Sequence, residues 1–212
     1  ELGADDALLA LQRMNEPPPV TARDDGYVQD ASSQWVAAAV EVEFGARVLD
    51  MCAAPGGKAT AMATAGARVI AADRRPGRAG LVQDNAAKLD LDLPVVAADG
   101  VAAPFRPGSF DAVLLDAPCS GLGALRRRAD ARWRIQPSDI TELAELQAQL
   151  LASAADLVAP GGRLVYSVCT ITAAESVDHA TPEGFEVDST PPQVGSWRAY
   201  RQGWRVLPHD AD

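Results

Sequence analysis

The sequence lacks the features that announce most other classes of protein. No apolar run approaches the roughly 20 residues a membrane-spanning helix needs, and no basic-apolar-small signal pattern opens it. Only three cysteines occur in 212 residues, without the spacing of a disulfide framework. These absences lead to the expectation of a cytoplasmic protein with reduced thiols and no membrane partner. The two histidines, His179 and His209, fall in an irregular C-terminal stretch, too sparse for zinc, so no metal is expected. An excess of positive charge is missing as well, the formal net charge being −10. That disfavours a free-standing nucleic-acid binder, because phosphate neutralisation supplies most non-specific affinity.

Two nucleotide signatures are also absent. Asp50-Met51-Cys52-Ala53-Ala54-Pro55-Gly56-Gly57-Lys58 superficially suggests a phosphate loop, but such a loop needs glycine at 52 and Ser or Thr at 59. The chain has Cys52 and Ala59. A dinucleotide fingerprint, Gly-x-Gly-x-x-Gly, does not occur.

What is present is an alternating α/β pattern, 48% hydrophobic and long enough to bury one substantial core. Residues 1–30 are weakly patterned, with Glu16-Pro17-Pro18-Pro19 reading as a linker and residues 1–26 as a leader. Ser32 and Ser33 are placed to cap a helix through Trp35 and Val40. Strands are expected at Arg47–Asp50, Val69–Asp73, Val95–Asp99, Ala112–Asp116 and Leu164–Ser167. Helices are expected at Lys58–Ala65, about Gly77–Leu89, and from near Ser138 to just before Pro160. Continuous apolar strands between helices imply a mostly parallel sheet covered on both faces. Phe185-Glu186-Val187 and Trp204-Arg205-Val206-Leu207 suggest an antiparallel hairpin at the sheet edge, with no closing strand before Asp212 and residues expected to be missing there.

Four of these strands end in an acid: Asp50, Asp73, Asp99 and Asp116. Buried carboxylates are costly, so a row of them at one edge points to a polar ligand running along it. The small-residue turn after Asp50 lets a ligand approach the backbone at a helix start. Asp73 is placed to accept from a ribose diol and Asp99 from an adenine amino group, which suits a nucleoside without pyrophosphate. Cys119 follows the fourth strand and Cys169 the fifth, so both thiols are expected to face one pocket. A thiolate is a strong nucleophile, which suggests covalent chemistry. A free thiol near pKa 8.5 needs nearby positive charge, for which Lys58 and the arginine-rich loop are candidates. That loop holds Arg126, Arg127, Arg128, Arg132 and Arg134 around Trp133, and its place after Cys119 suggests contacts with phosphates. Trp133 is suited to stacking on a base or to packing the loop.

Residues 50–58, Asp116-Ala117-Pro118-Cys119-Ser120-Gly121 and Tyr166-Ser167-Val168-Cys169-Thr170, in this order, resemble the Fmu/Sun-type RNA (cytosine-5) methyltransferases. Gly26-Tyr27-Val28-Gln29-Asp30 with Ser33-Gln34, and Asp73 with Arg78 and Asn85, extend the likeness from Tyr27 to about Glu175. The nearest likeness is to bacterial enzymes that methylate 16S ribosomal RNA. Two positions depart from the pattern: Val168 stands where threonine is usual and Ser176 where asparagine is. Neither removes a reacting atom.

The resemblance implies a Rossmann-like class I methyltransferase fold over residues 27–212, without the RNA-binding domain that often precedes it or the last strand. It implies S-adenosylmethionine, held by Cys52, Ala53, Ala54, Pro55, Gly56, Gly57, Lys58, Asp73, Arg78, Asp99 and Asp116. It assigns nucleophilic attack to Cys169, release to Cys119, and ring-holding to Asp116 with Lys58 at the active site. From the loop's position, Arg126, Arg127, Arg128, Arg132 and Trp133 are expected to meet RNA, and the protein is expected to be a monomer. Three other readings stay open: a tRNA methyltransferase, a DNA cytosine methyltransferase with its nucleophile after strand four, and a catalytically idle ribosome-assembly factor.

Overall fold

The computed structural model describes residues 3–210; Glu1, Leu2, Ala211 and Asp212, the ends of the expected leader and domain, lie outside them. Chain order is α1 (Ala4–Arg13), α2 (Ala31–Ala38), β1 (Arg47–Asp50), α3 (Gly57–Thr64), β2 (Arg68–Asp73), α4 (Pro76–Lys88) and β3 (Val95–Ala97). Then come β4 (Phe110–Asp116), α5 (Ala131–Arg134), α6 (Pro137–Leu157), β5 (Val158–Ser167), β6 (Arg198–Tyr200) and β7 (Gly203–Arg205). The first five strands form one parallel sheet in the order β3-β2-β1-β4-β5. This is the expected Rossmann-like sheet.

Side chains alternate across the sheet and give it two cores. Val48 and Leu114 face Met62 and Val82 of α3 and α4, while Leu49, Val113 and Leu115 face Leu150, Leu151 and Leu157 of α6. Both faces are covered, which is why the strands read as unbroken apolar runs.

Several expectations are corrected. The leader is not featureless, because α1 lies within it and buries Ala10 and Met14. The cap of α2 is Asp30, whose carboxylate accepts from the Ser32 amide, rather than Ser32 or Ser33. The third strand stops at Ala97, and Asp99 instead caps a short 3-10 turn by accepting from the Val101 amide. The fifth strand begins earlier than expected, at Val158. Gly161, at φ 77°, takes up a register shift that lets the chain pair again at Arg163 with Ala112. Residues 185–187 form no strand; β7 pairs with β6 in a separate two-stranded sheet, not at the edge of the main one. No helix among the described residues is long and apolar enough to cross a membrane.

Candidate active site

The strand order reverses between β1 and β4, and ligands in open α/β sheets bind at the carboxyl ends flanking such a point. Asp50 ends β1 there and Asp116 ends β4. A cavity of about 220 Å³ opens between them, lined by residues 52–55, Gly57, Lys58 and Asp116, with Asp30 and Arg127 across its mouth. Asp73, Arg78, Asp99 and both strand-end cysteines lie outside its walls.

The turn from β1 into α3 is held from behind. Gly56 caps α3 at φ 109°, and a Cβ there would stand 3.1 Å from the Val82 side chain, so glycine is required. Arg78 donates to the Ala54 carbonyl at 2.8 Å, Asn85 to the Pro55 carbonyl at 2.9 Å, and Arg23 to the Gly57 carbonyl at 2.6 Å. With its carbonyls engaged by side chains, the turn keeps one shape before a ligand arrives. Arg78 therefore supports the turn rather than lining the cavity. Sequence reasoning missed Arg23, which sits far from Gly57 along the chain and in no recognisable pattern.

Asp50 is the anomaly of the site. It is 1% exposed, and neither carboxylate oxygen has a hydrogen-bond partner of normal geometry. Burial pushes its carboxyl up to about 7, with Asp116 and Asp73 adding to the rise and Lys58 opposing it. An uncompensated acid beside a cavity suits a cationic group. Asp73, at the next strand end, accepts from the Arg75 and Ala54 amides at 3.0 and 3.3 Å. A carboxylate has further lone pairs for a diol. Asp99 faces Arg74 at 3.4 Å. Small turn, naked acid and second acid together fit the expected sulfonium nucleoside, whose amino-acid end carries an ammonium.

At the β4 side, Lys58 donates to Asp116 at 2.6 Å, and Ser167 donates to the other Asp116 oxygen at 2.7 Å. Burial alone would pull the Lys58 ammonium down, but Asp116, Asp50 and Cys169 hold it above its usual value. The two thiols meet as expected, Cys119 Sγ lying 3.4 Å from Cys169 Sγ, with the Cys169 amide donating to Cys119 Sγ at 3.3 Å. The pair is electrically asymmetric. A hydrogen bond from Cys119 brings the Cys169 thiol down, against burial and Asp116, with Lys58 and Arg128 helping. The same bond, with burial, pushes Cys119 far up. Cys169 is exposed and Cys119 half-buried, and their proton affinities are pulled in opposite directions. Cys52 is pushed by burial up to about 12, which suits an inert wall of the cavity.

The arginine loop is more committed than a phosphate patch. Arg127 pairs with Asp30 at 2.9 Å, Arg126 donates to the Pro208 and Pro17 carbonyls, Arg132 to Asn15, and Arg134 pairs with Asp130. Arg128 lies against Gly121, turned toward the thiols, and Trp133 is 83% exposed. Among the described residues, no group of three or more His, Cys, Asp or Glu side chains is arranged to hold a metal ion.

The chain is similar to known proteins in sequence and in fold. Residues 37–182 match the family described as 16S rRNA methyltransferase RsmB/F. Rv1407 of Mycobacterium tuberculosis, which bears a methyltransferase name, is 48% identical over 159 residues, 71% of this chain and 34% of its own. Ribosomal RNA small subunit methyltransferase B of Klebsiella pneumoniae (strain 342) is 41% identical over 173 residues, covering 77% and 40%. The chain thus spans well under half the length of these relatives. The crystal structure of NSun6 from Pyrococcus horikoshii with SFG, an S-adenosylmethionine analogue, is 30% identical with a TM-score of 0.66, covering 72% of this chain and 40% of that one. PH0851 superimposes with a TM-score of 0.79 at 26% identity, covering 99% of this chain and 54% of that one. The chain belongs to the RsmB/F methyltransferase family.

Proposed function

We propose that this chain is the catalytic portion of an S-adenosylmethionine-dependent RNA (cytosine-5) methyltransferase, with 16S ribosomal RNA as substrate. The observation that carries the reading is the thiol pair, 3.4 Å apart beside the Lys58–Asp116 ion pair, with the lowered proton affinity on Cys169. A DNA-type site would place the nucleophile after β4, at Cys119, which is the thiol held protonated. A cytoplasmic setting keeps both thiols reduced.

The bound cofactor supplies an electrophilic methyl group on a sulfonium. Asp50 would take its ammonium and Asp73 its ribose hydroxyls, with residues 52–58 shaping the wall between. Carbon 5 of cytosine is too weak a nucleophile to react unaided. Cys169 Sγ bonds to carbon 6, and the displaced electron pair makes carbon 5 nucleophilic toward the methyl group. Asp116, steadied by Lys58 and Ser167, holds the ring edge where charge develops. After transfer the carbon 5 proton must leave, and its electrons expel Cys169 as thiolate. Once Cys169 is bonded to carbon, its negative charge no longer holds the proton on Cys119, which frees Cys119 to assist that step.

The test uses the whole protein that carries this chain, with labelled cofactor and ribosomal RNA. Cys169→Ala should abolish transfer, while Cys119→Ala should accumulate a covalent RNA adduct. An adduct that needs Cys119 and persists without Cys169 would reverse the roles. No transfer by the intact protein would favour the idle assembly factor. Mapping 5-methylcytosine in RNA with and without the protein identifies the target, and a mark in tRNA alone would replace the ribosomal reading.

A further inference from the structure

Beneath the thiols lies a buried carboxylate that no step above uses. Glu175, 0% exposed, accepts at Oε1 from the Ser120 amide at 2.7 Å. At Oε2 it accepts from the hydroxyls of Ser120, Thr170 and Thr172 at 2.7, 2.9 and 2.7 Å. Ser120 follows Cys119, and Thr170 follows Cys169. One side chain therefore ties together the two loops that carry the sulfur atoms.

Those loops also touch directly, through the Ser120 and Thr170 hydroxyls at 2.8 Å and the Cys169 amide on Cys119 Sγ at 3.3 Å. The β4–β5 ladder ends at Asp116 with Ser167, followed by the Ala117 amide on the Ser167 carbonyl and the Gly123 amide on the Cys169 carbonyl. Glu175 is itself held on several sides. The Tyr166 hydroxyl donates to its backbone carbonyl at 2.7 Å. Gln147 of α6, also 0% exposed, donates to the Pro118 carbonyl at 2.8 Å, lies 3.5 Å from Oε1, and meets His179 at 3.1 Å. Burial pushes the Glu175 carboxyl up, but the Ser120 and Thr172 hydroxyls, the Ser120 amide and the Thr170 hydroxyl together hold it below the usual range. Apolar side chains would join two loops without stripping a charge from water. What a four-donor carboxylate adds is direction.

We propose that Glu175 is a positioning residue for the cysteine pair, fixing the separation at which the Cys119 and Cys169 sulfur atoms meet. The proposal deepens the reading above and rests on it for its catalytic meaning.

The groups that set the Cys169 proton affinity are Cys119, Asp116, Lys58 and Arg128, none of which touches Glu175. The sign of a shift is therefore informative. Deleting the negative charge of Glu175 would by itself lower the Cys169 value slightly. A purely structural role would leave it unchanged in folded protein. Loss of positioning raises it, because the Cys119 bond is the largest influence bringing it down.

The experiment follows iodoacetamide alkylation of the Cys169 peptide by mass spectrometry across a pH series. It compares wild type, Glu175→Ala, Glu175→Gln and Ser120→Ala, with folding checked by circular dichroism. Glu175→Ala should move the alkylation midpoint up by about one pH unit. Glu175→Gln keeps the shape and one acceptor oxygen and should move it up by less, a partial rescue. Ser120→Ala removes one tether and should also move it up; these two variants decide the matter if Glu175→Ala does not fold. Folded variants with an unchanged or lowered midpoint overturn the proposal. Alkylation needs neither RNA nor cofactor, so the two readings fail separately. Methyl transfer that survives Cys169→Ala sinks the proposed chemistry, while an unmoved midpoint in an enzyme dependent on Cys169 sinks the clamp alone.

Discussion

Asp50 and Glu175 are both shut off from water, yet their proton affinities are shifted in opposite directions. Asp50, at the end of β1, has no hydrogen-bond partner of normal geometry, only a weaker approach of the Ala59 amide, and burial pushes it up to about 7. Glu175, below the cysteines, collects an amide and three hydroxyls and stays below the usual carboxylate range. Burial raises both carboxyls, and at Glu175 the donors around it outweigh that rise. The satisfied acid organises the chain's own loops. The unsatisfied one faces a cavity, where a cationic ligand would complete it.

The largest expected effect lies between these two acids, at the sulfur that would join donor side to acceptor side. Cys169→Ser should cut methyl transfer by more than about 10³-fold in a label-transfer assay while leaving cofactor affinity intact. If cofactor binding fell as well, the two sides would not be separable. The next effect should be at Asp50. Asp50→Asn should weaken cofactor binding about 10- to 100-fold by calorimetry, since a charge-assisted bond would be lost. In the wild type, affinity should rise as pH increases toward about 7, with a proton released on binding.

Stability should separate the two acids by sign. Asp50 has a raised value in the fold, so its contribution is best at low pH and worsens as pH climbs from the ordinary carboxylate range to about 7. Asp50→Asn should therefore melt higher than wild type in the ligand-free state, by more at pH 8 than at pH 4. Glu175 has a lowered value, so its contribution is present at neutral pH and fades as pH falls below the ordinary carboxylate range. Glu175→Gln should cost about 1–3 kcal/mol at neutral pH by urea titration, shrinking on acidification. The smallest effect belongs to the surface: Trp133→Ala should raise KM for RNA about fivefold, with kcat unchanged, if the exposed indole stacks on a base.

Much of this plan was legible from local pattern. Unbroken apolar strands, each reappearing between helices, revealed the parallel sheet, and the sheet alone brought Cys119 and Cys169 to one edge. Elements that depend on weaker or distant cues escaped. Helix α1 hides beside a proline run and buries only a narrow stripe around Ala10 and Met14. The hairpin partner of β7 was sought at 185–187, where alternation looks right, because Arg198–Tyr200 is short and carries an arginine that serves an ion pair. Single-residue roles were harder still. Arg23, Gln147 and Glu175 act through hydrogen bonds to residues distant in the chain, and periodicity carries no trace of such bonds. Asp50 was seen as one of a row of acids, but how few donors reach it is visible only in space.

Arg198 reaches Asp6 of the first helix at 2.9 Å and Asp210 at 2.6 Å, with His209 beside them. One guanidinium thus staples α1 to the segment that follows β7, making the two mechanically interdependent. Pulling on either should loosen both, so fraying there would proceed as a single event rather than two.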